Sequence, residues 1–86
     1  MDSKVIVSII VPELDQVFDV YLPVNKKIGS IVNLLNQAIN EITNNIYPRS
    51  DQNILYNVNT NKIYDYDLLV QNTDIRNGTH LVLFSK

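Results

Sequence analysis

The sequence predicts an α+β fold in which one helix packs on a four- or five-stranded mixed sheet, in the order β-β-α-β-β. Three observations carry this. Two segments near the N-terminus place apolar residues at alternate positions, the period of a strand. The period switches once, to a helical one, near residues 26–43. The chain then returns to short alternating segments, the last of them entered through the turn dipeptide Asn77-Gly78.

The first strand is expected at 5–11, "VIVSIIV", where Val5, Val7, Ile9 and Val11 form one apolar face and Ser8 marks the other. Pro12 and the polar "ELDQ" make a hairpin connection to "VFDVYL" at 17–22, with Phe18, Val20 and Leu22 on one face and Asp19 on the other. Beyond Pro23, the apolar positions Ile28, Ile31, Val32, Leu34, Leu35, Ala38, Ile39 and Ile42 follow a helical stripe, with Asn36 expected on the outer surface. Asn25 is the expected N-cap, and Asn44-Asn45 followed by Pro48 the stop. Eighteen residues give roughly 27 Å of helix, enough to cross several strands. Gly29 is either tolerated in the first turn or marks a close helix–sheet contact.

Strands at 53–58 and 62–64 flank the turn "NTN". Residues 65–78 read as a loop with one short helical turn that tucks in Leu68, Leu69 and Ile75, and 79–84, "THLVLF", closes the sheet. A helix on one face leaves the other face of the sheet uncovered. The expected core is Val5, Val7, Ile9, Phe18, Val20, Ile31, Leu35, Ile39, Leu81 and Leu83. In the third strand, simple alternation puts Ile54, Tyr56 and Val58 inward.

Eighty-six residues suit one domain, 1–86, that buries roughly 60% of its unfolded surface. No cysteine is present, which excludes disulfides, thiol catalysis and cysteine-ligated zinc. The net charge is −2 and the seven Lys and Arg residues are scattered, so no basic stripe matches a nucleic acid. The N-terminal apolar run is too short to span a bilayer and lacks a cleavage pattern, so a cytoplasmic location without direct membrane insertion is expected. With His80 the sole histidine, neither a His-pair metal site nor paired histidine acid–base chemistry is available. "DYD" at 65–67 lacks the further oxygens, glycine and glutamate of a calcium loop and reads as solvated. "NGT" at 77–79 reads as turn chemistry. The chain is expected to be no enzyme and to take no cofactor.

The element order, the ending "THLVLF" and the segment "DQNILY" at 51–56 resemble the ubiquitin-like β-grasp, across the whole chain. Ungapped matching to ubiquitin turns Leu55 inward and Tyr56 outward beside His80, and leaves Asn57 pointing at the core. More narrowly, "QVFDVYLPV", "KKIGSIV", "VNTNKIY" and "DIRNGTHLVL" resemble the YukD/EsaB family of bacterial ubiquitin-like proteins associated with type VII (ESX-like) secretion systems of Gram-positive bacteria. Thr79 departs from that pattern, where the family usually has Asp.

The resemblance implies a non-enzymatic adaptor or regulator that binds a protein partner, such as a component of the type VII machinery. The alternative is a generic β-grasp interaction domain with an unrelated, phage- or plasmid-encoded partner. Ubiquitin-type modifiers act through a tail ending in Gly-Gly. This sequence reads Phe84-Ser85-Lys86 at its end, so binding rather than conjugation or sulfur transfer is expected. Strand alternation places His80, Val82 and Phe84 on the face away from the helix, together with Tyr56 in the ubiquitin-matched register and with Ile6 and Ile10. No feature of the sequence specifies an oligomeric state.

Overall fold

The computed structural model describes residues 3–44 and 53–84. Strand β1 (Lys4–Val11) and β2 (Gln16–Pro23) form an antiparallel hairpin, helix α1 (Ile28–Ile42) follows, and β3 (Ile54–Asn57), β4 (Lys62–Ile63) and β5 (His80–Phe84) complete one five-stranded sheet. The strand order is β2-β1-β5-β3-β4. β1 and β5 run parallel at the centre, and the other neighbours are antiparallel. This is the expected mixed sheet, with five strands.

The hairpin turns through a 3-10 segment, Pro12–Leu14, and closes on Asp15 in the left-handed conformation. α1 lays Ile28, Ile31, Val32, Leu35, Asn36, Ile39 and Asn40 against the sheet, a stripe spaced three and four residues apart. Several expectations for this helix fail. Leu34 is half exposed on the outer surface, because it lies off that stripe. Asn36, expected outside, is 3% exposed and accepts a hydrogen bond of 2.9 Å from Asn53 Nδ2. Ala38 and Ile42, also expected on the inner stripe, are exposed.

The helix also starts later than expected and Asn25 does not cap it. Lys27 occupies the cap position without a side-chain bond. The first helical N–H groups instead donate to the following loop, Ile28 to Leu68 O (2.8 Å) and Gly29 to Tyr66 O (3.0 Å). Val70 N–H returns a bond to Lys26 O at 2.9 Å. Backbone carbonyls thus meet the orphan donors that a cap would otherwise satisfy. Gly29 is accordingly a close-approach residue, but towards that loop: a Cβ there would lie 3.3 Å from Tyr66 Cβ. At the far end Asn44 takes a left-handed φ of 54°, a helix-stopping conformation that asparagine tolerates. Asn45 and Pro48 lie outside the described residues, as do Asp51, Gln52, Ser85 and Lys86.

The core is built by Val7, Ile9, Val11 and Leu22 from the hairpin, the apolar residues of the helical stripe, Leu55, Leu81 and Leu83, together with Tyr64, Val70 and Ile75. Val5, Phe18 and Val20, expected in the core, are only partly buried and pack against it. The reason for the latter two is that β2 is an edge strand. The loop holds one short 3-10 turn, Val70–Asn72, and inserts Ile75 as expected, while Leu68 is exposed. Tyr64 falls outside β4 yet is buried, and Thr79 precedes β5 as a buried residue whose Oγ1 accepts from Arg76 N–H.

Candidate functional site

The face of the sheet opposite α1 has no covering element among the described residues. Its make-up follows from strand register, since paired residues stand on the same side. Val17 pairs with Ile10, Ile10 with Val82, Val82 with Tyr56 and Tyr56 with Ile63. One continuous apolar row therefore crosses all five strands, a span of about 19 Å at the usual strand spacing. Its ends, Val17 and Ile63, are 60% and 61% exposed, and its centre is half-buried by its neighbours. The next row along the strands is polar. Asp19, Ser8 and His80 stand in register, and Ser8 Oγ donates to Asp19 Oδ1 at 2.8 Å. On the other side of the apolar row, Phe84 pairs with Ile54.

The third-strand register decides the composition of this face. Leu55 and Asn57 point into the core, and Tyr56 points out, as matching to ubiquitin implied and simple alternation did not. Val58 is exposed rather than inward. A fully buried asparagine needs partners, and Asn57 has them. Its Nδ2 donates to Tyr64 Oη at 2.8 Å, and its Oδ1 accepts from Asn59 N–H (2.8 Å) and Thr60 N–H (3.2 Å). The Tyr64 hydroxyl in turn donates to Asp74 Oδ1, and Lys62 Nζ lies 3.6 Å from Asp74 Oδ2. Burial raises the Tyr64 phenol above its ordinary pKa, and the bond to Asp74 adds to this. The same hydrogen bond holds the Asp74 carboxyl below its ordinary value, with Lys62 contributing.

This network fixes the 58–61 turn, and the turn reaches the open face. Asn59 Oδ1 accepts from His80 N–H at 2.8 Å, Val58 N–H donates to His80 O at 3.0 Å, and the Tyr56 hydroxyl donates to Asn61. On the other flank of β5, Asn77 Oδ1 accepts from Ile6 N–H at 2.9 Å, so the "NGT" turn docks directly onto β1. Gly78 there has a φ of 87°, which favours glycine.

All four residues singled out in the sequence stand on this face. Tyr56 and Val82 are in contact register at its centre, His80 is exposed in the polar row, and Phe84 is half-buried beside Ile54. Ile6 and Ile10 join them. Sequence reasoning missed Val17 and Ile63, which extend the apolar row to both sheet edges. Val17 was detectable, because it shares the parity of Asp19 in β2. Ile63 was not, since a two-residue strand carries no period. Among the described residues, no group of three or more His, Asp or Glu side chains could hold a metal ion. No described helix is long and apolar enough to cross a membrane.

No protein-family model matches this sequence, and no curated protein does. Solved structures do. The chain is similar to a chain of the MycP5-free ESX-5 inner membrane complex, at TM-score 0.76 and 15% identity over 95% of its residues. It spans 21% of that longer chain. It is similar to the ubiquitin-like domain of the Mycobacterium tuberculosis type VII secretion system protein EccD1, at TM-score 0.71 and 12% identity, over 98% of this chain and all of the other. A chain of a toluene 4-monooxygenase complex matches at TM-score 0.72 and 9% identity, over 98% of this chain and all of the other. The fold, one helix on a five-stranded mixed sheet, is the ubiquitin-like β-grasp.

Proposed function

We propose that this chain is a non-enzymatic, cytoplasmic adaptor or regulator of a Gram-positive type VII (ESX-like) secretion system, of the YukD/EsaB kind. It acts by protein–protein binding and not by conjugation, through the open face of its sheet. The observation that carries the binding role is the apolar row Val17–Ile10–Val82–Tyr56–Ile63, uncovered among the described residues and bordered by the Asp19–Ser8–His80 row. An apolar centre with a polar rim suits a modest, reversible protein contact. Support for the secretion setting comes from the sequence resemblance and from the likeness to the EccD1 domain and the ESX-5 complex chain.

A second reading is favoured by the similar chain in a toluene 4-monooxygenase complex. There the same fold sits in an unrelated assembly, and fold alone does not set function. A β-grasp interaction domain with an unrelated, phage- or plasmid-encoded partner is that reading.

Affinity capture from the native organism with the full chain as bait separates the two. The first reading expects a type VII membrane or ATPase component, and recovery of an unrelated partner alone would replace it by the second. Val82→Asp and Val17→Asp should weaken capture about tenfold or more, because each charge is fully desolvated only in the complex. Leu34→Asp, on the outer helix surface, should leave it unchanged. The reverse pattern, in variants with unchanged thermal unfolding, would move the binding surface to the helix.

A further inference from the structure

We propose a second binding site: the outer edge of β2, together with the groove between β2 and α1, takes up an extended segment of a partner protein in which apolar and basic residues alternate. This goes beyond the open-face reading and does not rest on it.

The edge follows from backbone phase. In β1, Ile6 O accepts from Gly78 N–H (2.9 Å) and Ser8 N–H donates to Thr79 O (3.0 Å), so even-numbered residues turn their backbone groups towards β5. Odd-numbered ones therefore turn towards β2, in phase with the Val24 N–H to Ser3 O bond of 2.8 Å. Through the register Val5↔Leu22, Val7↔Val20, Ile9↔Phe18, the paired β2 residues are Phe18, Val20 and Leu22. Val17, Asp19 and Tyr21 point their N–H and C=O groups away from the sheet. β2 is terminal in the strand order, so among the described residues no strand meets those groups. Three outward residues spaced by two are a template for a strand and not for a helix, whose own donors and acceptors are already paired.

The groove supplies the side-chain half of the site. A cavity of about 320 Å³ lies between Phe18 and Val20 of β2 and Leu35, Ala38, Ile39 and Ile42 of α1. A strand added to this edge alternates its side chains. Those on the helix side fall into the groove, and those on the other side extend the open face beside Asp19.

Charge selects the occupant. β2 and α1 contain Asp19 and Glu41 and neither Lys nor Arg, and Asp15 adds a third acid just before β2. The negative end of the helix dipole lies at Ile42, on the groove rim. The residue opposite Asp19 on an added strand is thus basic, and its two neighbours are apolar. A second copy of this chain fits worse, because centring β2 on itself sets Asp19 against Asp19.

The test uses the full chain and two blocked peptides, acetyl-Lys-Val-Lys-Ile-Lys-Val-amide and its counterpart with Glu for each Lys. Titration is followed by NMR and by hydrogen exchange at low salt. The lysine peptide is expected to protect the amides of Val17, Asp19 and Tyr21 and to bind about tenfold more tightly than the glutamate peptide. Asp19→Lys should reverse that preference, and Ala38→Gln, which fills an exposed groove wall, should weaken binding about fivefold or more with the fold unchanged. Equal binding of both peptides would overturn the charge argument. Shifts confined to Tyr56 and Val82, with the three edge amides unprotected, would overturn the site. A dimer in sedimentation with those amides already protected would give the edge to a second copy and overturn the partner segment.

Discussion

Replacing Asn57 by leucine tests whether a polar residue at the centre of the core supports this fold or only burdens it. The two side chains have similar volume, so the change removes hydrogen bonds with little change in packing. Three bonds of ordinary length are lost, one to the Tyr64 hydroxyl at 2.8 Å and two from the Asn59 and Thr60 amides at 2.8 and 3.2 Å, together with a long, weak one from Nδ2 to Asp74 Oδ1 at 3.5 Å. At a net value of about 1 kcal/mol each, the loss is about 3 kcal/mol. The exposed turn amides can recover water, which lowers the figure, and leucine at a fully buried site gains apolar burial, which lowers it further. A net destabilisation of about 1.5–3 kcal/mol follows. For a domain of this size that lowers Tm by roughly 6–24 °C. Urea unfolding should show the midpoint falling with an unchanged slope. A Tyr64→Phe background should absorb part of the loss, because the two residues share a bond. A variant as stable as wild type, or more so, would refute the reasoning and show that Asn57 is held for something other than cohesion.

Further outcomes follow from the same contacts. Leu81→Ala, at a fully buried position in β5 beside Ile9, should cost about 2–5 kcal/mol in urea unfolding, and a loss under about 0.5 kcal/mol would mean the faces are misassigned. Asp74 has a folded pKa below its unfolded one, so its contribution is present above the unfolded value, about 3.9, and fades as pH falls through the folded value. The stability gap between wild type and Asp74→Asn should therefore shrink on acid titration, and a gap independent of pH would refute the assignment. Tyr64 is shifted upward, so its contribution is complete below the unfolded phenol value near about 10 and is lost as pH rises through the folded one. Gly78→Ala has open space around it but a φ of 87°, so it should cost about 1 kcal/mol in thermal unfolding, and no cost would show that the turn relaxes.

What could be read from the sequence divides by physical cause. Where one periodic signal ran for several residues, as in β1, element type and inward face were both legible, and from Ile28 to Ile39 the element type was. Where two signals competed, one of them misled. Asn36 was placed outside on polarity, although its spacing from Val32 and Ile39 belongs to the inner stripe. Leu34 was placed inside on hydrophobicity, against that spacing. Asn25 looked like a cap because its chemistry fits one. The donors it would have served are met by Tyr66 and Leu68 carbonyls some forty residues away, which no local pattern encodes. On the candidate face, Val82, His80 and Phe84 followed from alternation alone, whereas Ile63 required knowing which residue it pairs with.

The third strand shows how a polar core residue shapes an apolar surface. Strand side chains alternate with a period of two, so turning Asn57 outward would turn Tyr56 inward. Had Ile54, Tyr56 and Val58 faced the helix, as hydrophobicity alone prefers, Asn57 and Leu55 would have stood on the open face. The row from Val17 to Ile63 would then have lost its fourth member, with an amide interrupting it next to β5. The Tyr64 and Asp74 side chains hold Asn57 inside by meeting its hydrogen-bonding groups, and through it they hold Tyr56 outside between Val82 and Ile63. The same asparagine fastens the 58–61 turn, from which Asn59 receives the His80 amide. Breaking the network with Asn57→Leu should leave the parity intact while loosening that turn. Hydrogen exchange at the His80 amide should therefore accelerate more than at Leu83, whose position in β5 is set by its pairing with Leu55. Equal acceleration at both would mean that the network stabilises the domain as a whole and does not shape the open face.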